Sequence, residues 1–310
     1  MTNILQSYHN WIQWVHIIDS NVPWPTIGIV ACTHGGETVW IHVIQKLEKS
    51  IRGKRHLIKG KIVFILANIE AYKKNIKLQK HSCLTRKDII NSRYIEENLN
   101  RCCDTLLLQH PHTYERKRAN ELTSVLNELD IVVDIHSTTQ PSWSMTLHTK
   151  KSYEQFKNIF NTDEVYLNLI DTIKGKPLLT ITENAGGIGI GIETWCQLDT
   201  SWYTTWLDNI YRILLSFNMI SKDMIDEKNI LLPKKANQQY MIIGSIMKNN
   251  TTFKPIKPFK NLEKVKKWSP IAHENDKMIY AEQDCLIIMP GMNKPWEEYC
   301  FLAKPLSSIN

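Results

Sequence analysis

No apolar run in this chain is long enough to cross a bilayer, so a membrane span is not expected. The opening residues, Met1 to His9, lack a basic stretch followed by an uninterrupted apolar one, which argues against a secretory leader. No internal repeat or low-complexity tract is found, which excludes solenoid architectures. Metal-type Cys-x-x-Cys pairs are missing too. The seven cysteines, an odd number, point to reduced thiols in a cytoplasmic protein rather than to a disulfide framework. The formal charge of +7 is concentrated in two segments, Lys46 to Lys61 and Lys254 to Lys267, the second with six lysines against Glu263. Neither resembles a nucleic-acid module. A solvated surface is expected, with at most a modest attraction for anionic small molecules.

What is present describes a globular protein, 43% hydrophobic and 22% charged over 310 residues, enough for one large core and a smaller one. Strands are expected near 26–32, 61–67, 130–136, 144–149, 164–170, 178–182 and 188–193. Helices are expected near 38–51, 114–129 and 200–220, the last rich in Trp202, Trp206, Ile210, Ile213 and Leu214. Residues 4–18 read as an apolar-rich element packed outside the main sheet. Strand–helix alternation implies a three-layer α/β domain with a central mixed β-sheet flanked by helices. After about residue 225, prolines break up short β-like runs such as Met241 to Gly244 and Leu286 to Met289. The expected division is 1–225 for the larger domain and 226–310 for a smaller, mainly β domain capping it.

Four islands carry chemistry. His34-Gly35-Gly36-Glu37 lies between a strand's carboxyl end and the first turn of a helix, where active sites of open α/β sheets gather. Its two glycines allow a tight turn, so that an imidazole and a carboxylate three positions apart can converge on one ion. A catalytic zinc takes three protein ligands and leaves one position open. His34 and Glu37 would supply two, and a third is sought at another strand end, Asp130 to His136. There Asp134 points to the same side as His136 and could orient a ligand. Arg93 with Asn100-Arg101, and Gly191-Ile192-Glu193, complete the set. His42, His56, His81, His110, His112 and His148 read as surface or packing histidines.

Together these islands resemble the succinylglutamate desuccinylase/aspartoacylase family of zinc carboxypeptidase-like hydrolases. His34-Gly35-Gly36-Glu37 is similar to its His-Gly-Asn-Glu zinc motif, and Ala67-Asn68-Ile69-Glu70-Ala71 to its Asn-Pro-x-Ala strand end, with Ile69 in place of Pro. Arg93 to Arg101 resembles its Arg-Tyr-x-x-x-Asp-x-Asn-Arg segment, with Asn98 where Asp is usual. Tyr114 to Ala119, Asp134 to Thr139 and Gly191 to Glu193 fit the following helix and strands. The resemblance implies one zinc per chain on His34, Glu37 and His136. It implies Glu193 as general base, Arg93 as oxyanion stabiliser, and Asn100 and Arg101 holding a substrate carboxylate. The activity implied is hydrolysis of a carbon–nitrogen bond other than a peptide bond, in a small N-acyl amino acid. Neither nucleic acid nor membrane is an expected partner, and homo-oligomerisation is left open. A zinc carboxypeptidase acting on short peptides and a non-catalytic binding protein with a basic surface are the alternatives.

Acyl group and amino acid stay undetermined at this level. The second substrate-binding arginine of aspartoacylase-like members has no counterpart in Leu178 to Gly187, where Glu183 stands near the expected place. Trp296 and Tyr299 are the candidates for the family's pocket-closing tyrosine.

Overall fold

The computed structural model describes residues 8–9, 12–79, 85–138, 143–196, 203–225, 237–291 and 295–308. Strands β1 (Tyr8–His9) and β2 (Ile12–Gln13) pair with each other and lead into β3 (Val15–Asp19). Next come β4 (Thr26–Ala31), α1 (Val39–Arg52), β5 (Lys61–Leu66), α2 (Ile69–Gln79), α3 (Arg86–Asn91), α4 (Thr105–Gln109), α5 (Tyr114–Leu126) and β6 (Ile131–Thr138). They are followed by β7 (Met145–His148), α6 (Lys150–Phe156), β8 (Glu164–Leu167), α7 (Leu169–Thr172), α8 (Thr180–Asn184), β9 (Ile188–Cys196) and α9 (Tyr203–Ser216). The last part is β: β10 (Gln238–Met247), β11 (Lys254–Pro255), β12 (Glu263–Val265), β13 (Pro270–Glu274), β14 (Lys277–Tyr280), β15 (Cys285–Ile288) and β16 (Glu298–Pro305).

Among the described residues eleven strands form one mixed sheet, ordered β12-β15-β16-β10-β8-β7-β9-β6-β4-β5-β3, while β11, β13 and β14 make a small second sheet. At its centre β5, β4, β6 and β9 run parallel, with β7 antiparallel to β9. Side chains alternate across a strand, and here both faces are covered. Ile27, Ile29, Ile131, Val133 and Ile135 pack on one side with Trp40, Leu47, Trp206 and Leu214 of α1 and α9. Val30, Val63, Ile65 and Val132 face the other way, toward Leu122, Val125 and Leu126 of α5. Burial on both faces is why these strands read as continuous apolar runs. Trp40 and Trp206 meet edge to face at 4.4 Å and tie the two outer helices together. Sheet and flanking helices are the expected mixed α/β architecture. Among the described residues no helix is long and apolar enough to cross a membrane.

Three expectations change. The element within 4–18 was expected outside the sheet, yet Val15–Asp19 is its antiparallel edge strand, in register with β5 from Val15 opposite Ile65 to Asp19 opposite Lys61. It occupies a strand edge whose backbone groups would otherwise be open to pairing. Residues 178–182 are not a strand, because α8 begins at Thr180. A short apolar run fits either element, and here Thr180, Ile181 and Glu183 N–H groups bond back to Pro177, Leu178 and Leu179 carbonyls. Gly186, at φ 97°, follows the helix end in the left-handed conformation that glycine accepts. After residue 225 the β texture appears as expected, but β10 runs parallel to β8 and carries β16 and β15 into the central sheet. The segment just beyond the expected boundary, 226–236, lies outside the described residues, as do His81, Thr139 and Trp202.

Candidate active site and metal centre

The turn His34–Glu37 joins the carboxyl end of β4 to α1, as the apolar pattern indicates. The glycines serve it differently from the expectation, because the positive φ belongs to Cys32, at 55°, whose Sγ donates to the Glu37 carbonyl at 3.0 Å. Gly35 is needed for close approach. A Cβ there would stand 2.3 Å from the carbonyl oxygens of Ala71 and Ser92, and Gly35 N donates to Arg93 O at 2.9 Å. The turn thus lies directly on the segment that carries Arg93.

His34, Glu37 and His136 are all buried, and their ligand atoms lie within 4.8 Å of one another. His34 Nδ1 is 2.9 Å and His136 Nδ1 3.3 Å from the same oxygen, Glu37 Oε1. The opposite ring nitrogens face oxygens: His34 Nε2 lies 3.1 Å from Asn98 Oδ1, and His136 Nε2 is paired with the Asp134 carboxylate, 2.9 Å from Oδ2. Thr33 Oγ1 in turn donates to Asp134 Oδ1 at 2.8 Å. An oxygen facing Nε2 favours the tautomer that leaves an Nδ1 lone pair for a ligand bond. Two imidazoles and a carboxylate converging in this way are a zinc donor set with room for a fourth position.

The electrostatics agree. Burial and neighbouring Arg93 push the His34 imidazole down to about 4. Burial works against the Glu37 carboxylate, but His34 and His136 hold it well below the usual range. Burial likewise opposes charge on His136, yet Asp134 and Glu37 keep its pKa well above that of an ordinary imidazole. The cluster has a surplus of negative charge that retains a proton where a divalent cation would displace it. These residues fit zinc.

Strand register brings Glu193 to this cluster, because His136 and Glu193 are direct neighbours on the parallel strands β6 and β9. Among the described residues, Glu193 Oε2 is a buried oxygen without a hydrogen-bond partner. Burial pushes its carboxyl up to about 7, with His136 and Arg93 pulling the other way. Arg93 reaches the same pocket from the loop after α3. Its Nε is a buried donor without a hydrogen-bond partner among the described residues, 4.0 Å from Glu297 Oε1. That loop is held by Glu115 of α5, whose carboxylate accepts from the backbone N–H groups of Ile95, Glu96 and Glu97 at 2.7, 3.2 and 3.3 Å, and from Asn68 Nδ2 at 3.2 Å.

Asn100 and Arg101 also border the pocket, but both have protein partners. Asn100 Oδ1 accepts from Leu178 N at 3.1 Å, and its Nδ2 stands 3.4 Å from His136 Nε2. Arg101 Nε and Nη2 donate to Glu298 Oε2 at 3.3 and 2.9 Å, and Nη1 donates to the Asn100 carbonyl at 2.8 Å. Glu297 accepts from Asn98 Nδ2 at 2.7 Å. Burial would raise the Glu297 carboxyl, yet Arg93 and Asn98 hold it below its ordinary value.

Asn98, Glu115, Glu297 and Glu298 were not singled out from the sequence as site residues. The available signal was charge: Glu297-Glu298 is an acidic pair that, in a cleft with two arginines, has somewhere to go. Trp296 and Tyr299 do not close the pocket. Trp296 is exposed, while Tyr299 packs on Phe253 in the C-terminal core; Met289 and Phe301 line the pocket instead. Glu183 does not line it either, since its carboxylate accepts from Thr149 Oγ1 at 3.0 Å beside α6. His42, His56, His110 and His112 are exposed and His148 is buried, as packing and surface residues would be. Cys32, Cys102, Cys103, Cys285 and Cys300 are buried free thiols. The six lysines from Lys254 to Lys267 are exposed.

Residues 23–165 match the family model of the succinylglutamate desuccinylase/aspartoacylase catalytic domain. A succinylglutamate desuccinylase from Photorhabdus laumondii is 28% identical over 131 residues, 41% of this chain and 35% of that enzyme. The match therefore spans about a third of the relative's length. Among solved structures, the succinylglutamate desuccinylase from Vibrio cholerae superposes with a TM-score of 0.67 at 18% identity, over 94% of this chain and 86% of the other. That from Chromobacterium violaceum gives 0.64 at 13%, over 97% and 91%. The product-bound ectoine utilization protein from Ruegeria pomeroyi gives 0.61 at 14%, over 96% and 92%. The structural likenesses speak for the fold, and the family match for residues 23–165, which hold the histidine–glutamate cluster. In sequence over residues 23–165, and in fold over nearly the whole chain, the protein is similar to the succinylglutamate desuccinylase/aspartoacylase family.

Proposed function

We propose that the protein is a zinc-dependent deacylase that hydrolyses the amide bond of a small N-acyl amino acid, a carbon–nitrogen bond other than a peptide bond. One observation carries the reading. Two imidazoles, each facing an oxygen at Nε2, turn their Nδ1 atoms onto one carboxylate oxygen, beside a buried glutamate oxygen and a buried guanidinium donor, both without hydrogen-bond partners among the described residues. His34, Glu37 and His136 would hold the zinc, which when bound supplies Lewis-acid polarisation of the carbonyl and of water.

The chain's own groups do the rest. Glu193 takes a proton from the attacking water and returns it to the leaving amine nitrogen; a carboxylate pushed up to about 7 is matched to both transfers near neutral pH. Arg93 offers its Nε–H to the oxyanion as charge develops, in a site where burial strengthens the interaction. Asn100 and Arg101 orient the substrate's carboxylate. Met289 and Phe301, from the C-terminal residues, border the pocket and favour a small substrate over a peptide. On this reading, residues 226–310 act as a cap on the catalytic residues 1–225. Buried free thiols support a cytoplasmic location.

Metal analysis of purified protein, joined to a screen of N-acyl amino acids and short peptides, tests the proposal. About one zinc per chain and turnover confined to N-acyl amino acids is expected. Turnover of peptides alone would favour the carboxypeptidase alternative, and absence of bound metal would favour a binding protein.

A further inference from the structure

Glu298, in β16, is only 2% exposed, yet it lines the pocket. One of its oxygens takes the Nε/Nη2 edge of Arg101 at 3.3 and 2.9 Å, and the other accepts from Lys174 N at 2.9 Å. With Nη1 bonded to the Asn100 carbonyl at 2.8 Å, three of the five guanidinium N–H groups are engaged. Among the described residues one N–H on Nη1 and one on Nη2 remain, donors that a substrate carboxylate can take. The pair carries no net charge. Arg93, the other arginine of the pocket, faces Glu297 at 4.0 Å. The remaining wall is largely hydrocarbon, with Leu147, Leu169, Ile170, Ile173, Leu179 and Phe301.

We infer that Glu298 is a specificity-determining residue, which cancels the charge of Arg101 and restricts the pocket to substrates with one carboxylate and an apolar remainder. The inference rests on the deacylase reading and names its substrate class. A single α-carboxylate finds two donors on Arg101. A second carboxylate finds no uncompensated arginine, meets hydrocarbon and approaches Glu298, and an unpaired charge in such surroundings is strongly disfavoured. An aliphatic side chain instead gains from burial against the leucine and isoleucine wall.

The test compares zinc-loaded wild type with Glu298→Gln on N-acetyl-leucine and N-acetyl-aspartate. Wild type is expected to prefer the leucine derivative in kcat/KM by at least about tenfold, and Glu298→Gln to shift that ratio toward aspartate by at least about tenfold. A wild-type preference for aspartate, or an unchanged ratio in the variant, would overturn the inference. Calorimetric binding of the same two compounds reads the selectivity without turnover. If nothing is hydrolysed but binding keeps the leucine preference and loses it in Glu298→Gln, the deacylase reading fails while the role of Glu298 stands. Equal binding of both compounds by wild type overturns that role. Glu298→Ala replaces the glutamine variant if the latter does not fold.

Discussion

The two halves of the pocket are assembled on different principles. The candidate metal half has one local piece, His34 and Glu37 on a single turn, which His136 joins across 99 positions from the strand beside Glu193. The substrate half is built across the chain, with Asn98 meeting Glu297 over 199 positions and Arg101 meeting Glu298 over 197. Local construction leaves a motif in the sequence. Distant construction leaves only unremarkable residues that become partners when β16 joins the sheet.

If this contrast is right, the largest losses come from the metal half. His34→Ala or His136→Ala should lose zinc retention and bring turnover to background, because three protein ligands leave no spare. Full zinc occupancy in either variant, read by metal analysis, would break the comparison at its base. Glu193→Gln should keep zinc and fold but lower kcat by about 10²–10⁴-fold, the usual contribution of a positioned base. Arg93→Lys should fall in a similar range and also on kcat, because its target charge exists only as the tetrahedral intermediate forms. Wild-type kinetics in either variant would remove that residue from the chemistry.

Next in size are the groups that hold the imidazoles. Asn98→Ala and Asp134→Asn should each weaken zinc affinity by about 10–100-fold, measured by competition with a chelator, with smaller effects on kcat once zinc is saturating. Asn98 sharpens the contrast, because it touches both halves through His34 and Glu297. The smallest effect is expected at Arg101→Lys, a rise in KM greater than the fall in kcat. A carboxylate held there is held equally in ground and transition states, and Lys keeps the charge but loses the fork. Matching kinetic profiles for the Arg93 and Arg101 variants would erase the division between the two halves.

The same contrast explains what the sequence could tell. Strands buried on both faces, such as Thr26–Ala31 and Ile131–Thr138, declared themselves as apolar runs, and strand-end placement then pointed to His34, Glu37 and His136, while Glu193 was singled out by resemblance. Leu178 to Thr182 misled because so short an apolar run is compatible with either strand or helix; backbone bonds to Pro177, Leu178 and Leu179 decided for the helix. Val15–Asp19 was misplaced because an edge strand is defined by its partner, here β5, and not by its own pattern. Glu298 offered only its charge as a signal, since its partner depends on a β10–β16 pairing that no local spacing encodes.

That pairing has a consequence for the order in which the protein becomes competent. Chain growth delivers His34, Glu37 and His136, then Glu193, while Glu298 is still more than a hundred residues from being made. On the ribosome, the metal ligands therefore emerge well before the strand that balances Arg101. Contacts of such long range form late, because loop closure precedes their reward. The candidate metal ligands thus precede the partner of Arg101 in order of synthesis by more than a hundred residues.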